Sequence, residues 1–290
     1  MVGHEIVGKA TRVGANYSSK IKVGDRVGVG AQSGSCLRNN CVQCTNDSEQ
    51  YCQNAQTTTY ASKWPTGEKS YGGYAKRWRG NGHFVIPIPD ALDSAEAAPM
   101  LCGGITTYSP LVAGGCGPGK RVGIVGIGGL GHFGLLWAKM LGASKVVAIS
   151  RSDSKAADAK KMGADALIAT GKEGWEAEHA GSLDLIVSTV SGPGMPLSGY
   201  LSLLDVGGRF IQVGAPEDPV PQFAAFALIA KKVSVEGSAI GSPRQIGEML
   251  ELAAKNKVKP WIQEMPMGEA NKAVVQFEEG KPRYRFVLKN

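Results

Sequence analysis

Residues 121–141 read RVGIVGIGGLGHFGLLWAKML, and this stretch decides the fold. Arg121–Gly126 is a short apolar run of strand type, and Leu130–Leu141 carries apolar residues at helical spacing. Between them lies Gly126-Ile127-Gly128-Gly129-Leu130-Gly131, a G-x-G-x-x-G turn joining a strand to a helix. The first glycine allows a tight turn, the second lets a pyrophosphate approach the backbone, and the third lets helix and strand pack closely. The N-terminus of the helix then favours the phosphate charge. The glycine pattern alone is a weak signal in a chain with 40 glycines among 290 residues. The strand-turn-helix setting makes it a dinucleotide-binding signal, with Gly126, Gly128, Gly129, Leu130 and Gly131 as the residues facing the cofactor.

Working outward, further strand-like runs appear at Lys145–Ser150, Ala166–Ala169, Leu183–Thr189, Val206–Val213 and Lys232–Glu236, with helical patterns such as Ser154–Met162 between them. Six strands alternating with helices predict an α/β domain with a doubly wound parallel sheet, a Rossmann domain over residues 104–240. An NAD-specific domain places an acid after the second strand, against the ribose 2′-hydroxyl. Here that position reads Ser150-Arg151-Ser152, with Lys155 following. Cations where an acid is expected favour the 2′-phosphate of NADP. A solvated loop that caps a helix at Ser152 or Asp153 is the plainer reading. Residues 1–103 differ in texture, being rich in Gly, Val and turn residues with β-like runs at Ile21–Val29 and Phe84–Ile88. Residues 241–290 add one helix, Arg244–Lys255, and strand-like ends.

The net charge is +7, but Lys and Arg are scattered among acids, and Lys281–Lys289 is the one acid-free basic cluster of note. Nucleic-acid binding is not expected from this pattern. The longest apolar run, Phe223–Ala230, is far too short for a membrane span. No basic segment followed by an apolar one opens the sequence, so no export signal is read there and a cytoplasmic location is expected. The six cysteines are then reduced thiols or metal ligands. Four of them form Cys36-x4-Cys41-x2-Cys44-x7-Cys52, a spacing that can close a tetrahedral zinc site within one lobe, residues 36–52. Such a closed site holds a lobe together and leaves no position for a substrate. A cluster of redox-active thiols is the alternative.

These motifs together resemble the zinc-containing medium-chain alcohol dehydrogenases, in the cinnamyl alcohol dehydrogenase branch. The resemblance rests on Gly3-His4-Glu5-Ile-Val-Gly8, Val23-Gly-Asp-Arg-Val27, the four-cysteine lobe and Tyr71-Gly-Gly-Tyr74. It continues in Leu101-Cys102-Gly-Gly-Ile-Thr106, the glycine turn with His132, Gly237-Ser-Ala-Ile-Gly-Ser242 and Arg283-Tyr-Arg285-Phe-Val-Leu288. It implies a GroES-like catalytic domain over 1–103, completed by 241–290. It implies His4 and Cys102 as ligands of a catalytic zinc, with Glu5 as a carboxylate that exchanges at that metal. Cys36, Cys41, Cys44 and Cys52 would hold a structural zinc, although their first gap is wider than the family's usual one. Ser150, Arg151, Ser152 and Lys155 would form a 2′-phosphate pocket, and Arg285 would approach the cofactor phosphates. The implied reaction passes hydride between NADP(H) and small aromatic or medium-chain aldehydes and alcohols, in a homodimer joined at the Rossmann sheet edge. The loop Thr57–Lys69, with Tyr60 and Trp64, would line the substrate rim. Relatives also carry an upstream Cys-Gly-x-Cys-His-[Ser/Thr]-Asp segment that supplies a third zinc ligand and a proton relay. These 290 residues do not contain it. An incomplete GroES-like domain and an impaired NADP-binding form are therefore the alternative expectation.

Overall fold

The computed structural model describes residues 1–215 and 219–290. Five short strands come first: β1 (Ile6–Lys9), β2 (Arg26–Val29), β3 (Gln32–Ser35), β4 (Gln56–Thr58) and β5 (Ile86–Pro87). Six follow in the middle of the chain: β6 (Arg121–Val125), β7 (Lys145–Ser150), β8 (Ala166–Ala169), β9 (Leu183–Ser188), β10 (Leu204–Gln212) and β11 (Ser234–Gly237). The last two are β12 (Ile262–Pro266) and β13 (Arg285–Lys289). The chain divides into two compact units, Met1–Ile105 with Ile240–Asn290, and Thr106–Ala239.

The second unit is built on one six-stranded parallel sheet in the order β8-β7-β6-β9-β10-β11. Renumbered within the unit this is 3-2-1-4-5-6, the doubly wound Rossmann order, whose direction reverses between β6 and β9. Strands buried on both faces read as continuous apolar runs, and β6, β7 and β9 do so: Val122, Ile124, Val146, Ile149, Leu185 and Ile186 are all buried. The helix Gly131–Met140 packs Phe133 and Trp137 into this core, their rings stacked 5.8 Å apart. Truncating either ring to Ala would cost about 3–5 kcal/mol.

The sequence places the fifth strand of this sheet at Val206–Val213, whereas β10 begins two residues earlier, at Leu204. The pairing of β10 with β9 is interrupted between Leu204 and Arg209. Gly207 there has φ +75° and Val206 turns outward, 74% exposed. A bulge thus carries the one apolar residue of the segment that the periodicity assigns inward.

In the first unit, β1, β2 and β5 form an antiparallel sheet, β3 and β4 a separate antiparallel pair, and β12 and β13 a parallel pair. This is the β-rich part of the molecule, where the family resemblance implies a GroES-like domain. The apolar run expected from Ile21 supplies a strand only from Arg26. Lys22 N–H donates to the Asp25 carboxylate at 2.7 Å, and that turn occupies the first half of the run. The helix Pro243–Asn256 starts with a reciprocal capping box. Gln245 N–H donates to Ser242 Oγ and Ser242 N–H to Gln245 Oε1, each at 3.2 Å. Its Ile246, Met249, Leu250 and Ala253 are buried at the i, i+3, i+4, i+7 spacing of one apolar face.

Candidate active site: two cysteine-containing clusters and a dinucleotide turn

The four-cysteine lobe is shaped by local turns. Cys41 precedes the single helical turn Val42–Thr45, Cys52 follows the 3-10 turn Glu49–Tyr51, and Leu37 and Asp47 adopt left-handed backbone. These bends bring all four sulfur atoms within 4.8 Å of one another. Cys36 and Cys44 lie 3.7 Å apart, and Cys41 and Cys52 lie 3.9 Å apart. A tetrahedron of zinc–thiolate bonds has S···S edges of roughly 3.8 Å, and these two edges match it, so the four sulfurs could hold a zinc ion. The wide first gap leaves the geometry intact, with Leu37 in the left-handed region near its start. Burial works to raise the Cys52 thiol, but backbone N–H groups from Cys36, Ala55 and Asn54 outweigh it and bring it down to about 6. Burial pushes Cys44 up to about 12. The protein alone therefore stabilises part of the thiolate charge, and a dication would compensate the rest.

Side-chain pairs help to fasten the lobe to its surroundings. The Arg244 guanidinium reaches the Asp47 carboxylate at 2.8 Å. His83 Nε2 lies 2.7 Å from Glu49 Oε1, with the Glu49 side chain only 2% exposed.

The second cluster is His4, Glu5 and Cys102, residues up to 98 positions apart whose ligand atoms also lie within 4.8 Å of one another. His4 and Glu5 precede β1, and Cys102 precedes the helix Gly103–Ala113. Burial holds the His4 imidazole below its ordinary value; Glu5 opposes this and Arg285 reinforces it. The ring is thus kept in the neutral form that ligates metals. Tyr60 stacks on it at 5.5 Å with planes 16° apart. Both oxygens of Glu5 are engaged: Gly103 N–H donates to Oε1 at 2.9 Å, and Arg285 Nη2 donates to Oε2 at 2.5 Å. His4, Glu5 and Cys102 together could hold a metal ion, with Glu5 restrained by these two bonds. A groove of about 1920 Å³ in the same unit is lined by His4 and Glu5 together with Tyr60, Trp64, Glu68 and Tyr74.

The dinucleotide turn lies at the carboxyl end of β6, beside the point where the strand order reverses. Gly126 has φ +85°, a backbone state that penalises any side chain, and its N–H donates to the Ile149 carbonyl at 2.9 Å. A Cβ at Gly131 would sit 1.7 Å from the Gly126 carbonyl oxygen, so only glycine lets the helix approach the strand. A Cβ at Gly128 would meet no atom of the protein within 4 Å. The fold itself does not demand glycine at 128, and the free space fits a phosphate against the backbone. Gly129 and Leu130 complete the turn, and Gly134 N–H donates to the Leu130 carbonyl. At the end of β7, Ser150 is half-buried, Arg151 and Ser152 are exposed, and Lys155 is half-buried with its Nζ 2.6 Å from the Ile127 carbonyl oxygen.

Profiles of two protein families match the chain: the alcohol dehydrogenase GroES-like domain over residues 1–90 and the zinc-binding dehydrogenase domain over residues 129–255. The chain is 45% identical to NADP-dependent alcohol dehydrogenase 6 of Saccharomyces cerevisiae over 293 aligned positions, covering 99% of this chain and 80% of that protein. The chain belongs to the zinc-binding medium-chain alcohol dehydrogenases. It is also 43% identical to cinnamyl alcohol dehydrogenase 2 of Rauvolfia serpentina, covering 99% of this chain and 78% of that one. Among solved structures it is similar to a cinnamyl alcohol dehydrogenase of Sorghum bicolor, with a TM-score of 0.92 at 35% identity, over 99% of this chain and 81% of that one. It is similar as well to the cinnamyl alcohol dehydrogenase of Helicobacter pylori solved with NADP(H), with a TM-score of 0.85 at 31% identity and the same coverage.

Within this dehydrogenase, four polar residues near the clusters escape sequence reading. Thr189, at the end of β9, donates its hydroxyl towards the carbonyls of Val125 at 2.8 Å and Gly126 at 3.1 Å, bracing the turn from the next strand. Lys172 lies beyond β8 and comes within 3.8 Å of Asp153, next to the cationic loop after β7. The pair of half-buried His83 and buried Glu49 joins positions 34 apart. None of the four stands at a diagnostic spacing, so only the fold brings them to the clusters. Arg285, which the family resemblance assigns to the cofactor phosphates, is bonded here to Glu5.

Proposed function

We propose that this protein is an NADP-dependent zinc alcohol dehydrogenase that interconverts small aldehydes, aromatic or medium-chain, with their primary alcohols. The observation that carries this reading is the convergence of His4, Glu5 and Cys102 on one point of the first unit. The same chain also carries a glycine turn with open space at Gly128 and cations in place of an acid after β7. In this reading His4 and Cys102 hold the reactive metal, while Cys36, Cys41, Cys44 and Cys52 hold a second, structural one. Bound zinc would polarise the carbonyl oxygen of the substrate, and bound NADPH would supply the hydride.

The chain's own residues prepare that chemistry. Arg285 and Gly103 N–H hold both oxygens of Glu5 and so restrain the carboxylate beside His4 and Cys102. Tyr60 fixes the plane of the His4 ring. Gly126, Gly128, Gly129, Leu130 and Gly131 receive the pyrophosphate, and Ser150, Arg151, Ser152 and Lys155 receive the 2′-phosphate. Residues Met1–Ile105 with Ile240–Asn290 would serve as the catalytic domain and Thr106–Ala239 as the coenzyme domain.

The reading carries two further expectations. One is a homodimer formed through β11, an edge strand of the sheet, and supported by the exposure of Val235, Phe226 and Ile229 in that unit. The other is a cytosolic location, where thiolates remain reduced for metal binding. Among the described residues, no helix is long and apolar enough to cross a membrane.

The test is NADPH oxidation followed by absorbance with cinnamaldehyde, benzaldehyde and hexanal on zinc-loaded protein. Turnover that is lost on chelation and restored by zinc supports the proposal. Stoichiometric NADPH binding without turnover of any of the three would replace it with the impaired NADP-binding form.

A further inference from the structure

The Lys155 ammonium is held 2.6 Å from the carbonyl oxygen of Ile127, the residue between the first two glycines of the dinucleotide turn. Three features make this contact more than a surface bond. The Ile127 carbonyl lies between β6 and the helix Gly131–Met140, and the backbone bonds that open the helix begin one residue later, with His132 N–H donating to Gly128. The Lys155 backbone is fixed at the other end, because its carbonyl accepts from Ala159 N–H at 2.9 Å. The side chain therefore spans from the loop after β7 to the loop after β6, joining positions 28 apart. Gly126, meanwhile, is braced on its other side by the Thr189 hydroxyl.

We propose that Lys155 is a positioning residue that holds the pyrophosphate turn in its binding shape through the Ile127 carbonyl, in addition to receiving a 2′-phosphate. An ammonium has three donors, so it can keep Ile127 and still donate to a phosphate. The same cation then couples two ends of the coenzyme. The turn is ordered before any ligand arrives, and a 2′-phosphate adds to a contact already made. This deepens the NADP-dependent reading and rests on it.

A ligand confined to the 2′-phosphate would matter only for NADPH. A positioning residue also matters for NADH, which lacks that phosphate. Lys155→Met should therefore weaken NADH binding by about tenfold, the size expected for losing a charge-assisted hydrogen bond. It should weaken NADPH by about a hundredfold, because a phosphate partner is lost as well. Lys155→Arg can still donate to a carbonyl and should restore NADH to within about twofold of the parent.

The experiment is calorimetric titration of NADPH and NADH into the parent protein and both variants, with amide hydrogen exchange over residues 126–131 measured before coenzyme is added. Faster exchange in Lys155→Met, normal exchange in Lys155→Arg and the tenfold NADH loss are the expected results. Exchange and NADH affinity unchanged in Lys155→Met, with NADPH alone weakened, would overturn the positioning role and leave the NADP reading standing. Failure of the parent to bind NADPH would overturn both.

Discussion

Two alanine substitutions three positions apart in the same turn should fail for opposite reasons. At Gly131 a Cβ would lie 1.7 Å from the Gly126 carbonyl oxygen, and real Cβ atoms do not come within 3.0 Å of such a neighbour. The helix Gly131–Met140 and the end of β6 would have to separate by about 1.3 Å, in a core where Phe133 and Trp137 are fully buried. Overpacking of this kind costs about 1–3 kcal/mol, and here the obstacle is backbone, so the upper end applies. Gly131→Ala should lower the unfolding midpoint of the coenzyme unit and weaken coenzyme binding together. At Gly128 nothing lies within 4 Å and φ is not positive, so Gly128→Ala should fold with parental stability. Its methyl group would nevertheless occupy the space a pyrophosphate uses, and NADPH affinity should fall by about a hundredfold or more. Urea unfolding and NADPH titration on the two variants separate the effects. Parental NADPH affinity in Gly128→Ala would refute the placement of the pyrophosphate. Parental stability in Gly131→Ala would refute the packing argument.

Other outcomes follow from the charged groups. Arg285→Met leaves the largely buried Glu5 carboxylate without its guanidinium partner and should destabilise the first unit by about 2 kcal/mol, read from urea midpoints; an unchanged midpoint would contradict the pairing. Asp184 is held below its ordinary 3.8 chiefly by hydrogen bonds from the Arg121 side chain. A depressed carboxylate stabilises the fold above the unfolded value and loses that contribution as pH falls through the folded one. Asp184→Asn should therefore be less stable than the parent at pH 7, with the two unfolding curves converging in acid; a gap that persists or widens in acid would contradict this. Arg151→Asp places an acid where an NAD enzyme has one and should shift the NADPH:NADH affinity ratio towards NADH by at least tenfold, or about 1.4 kcal/mol. An unmoved ratio would mean that the loop after β7 does not receive the 2′-phosphate.

The second unit was largely legible in the sequence because its signals are local. A run such as Lys145–Ser150 carries its own β-propensity and sits between turn residues, and β7 has those bounds. The glycine turn was readable because Gly126 and Gly131 answer separate steric demands of the fold, while Gly128 leaves open space. Legibility declined where a bulge or turn competes with periodicity, as at Val206 and at Lys22–Asp25. The four-cysteine lobe was readable from spacing, since its four cysteines lie within one loop. His4 and Cys102 carried no such signal, because two isolated residues 98 apart acquire meaning only through the fold or a family pattern. Tyr60 on His4, Arg285 on Glu5 and Lys155 on Ile127 are tertiary contacts for which neither spacing nor composition offers a clue.

The most direct test of a reactive metal at His4 and Cys102 is zinc content per chain, measured by elemental analysis on the purified protein and on Cys102→Ser. About two zinc ions per chain are expected in the parent, falling to about one in the variant while the four-cysteine lobe keeps its own. A single zinc that is unaffected by Cys102→Ser would contradict the assignment.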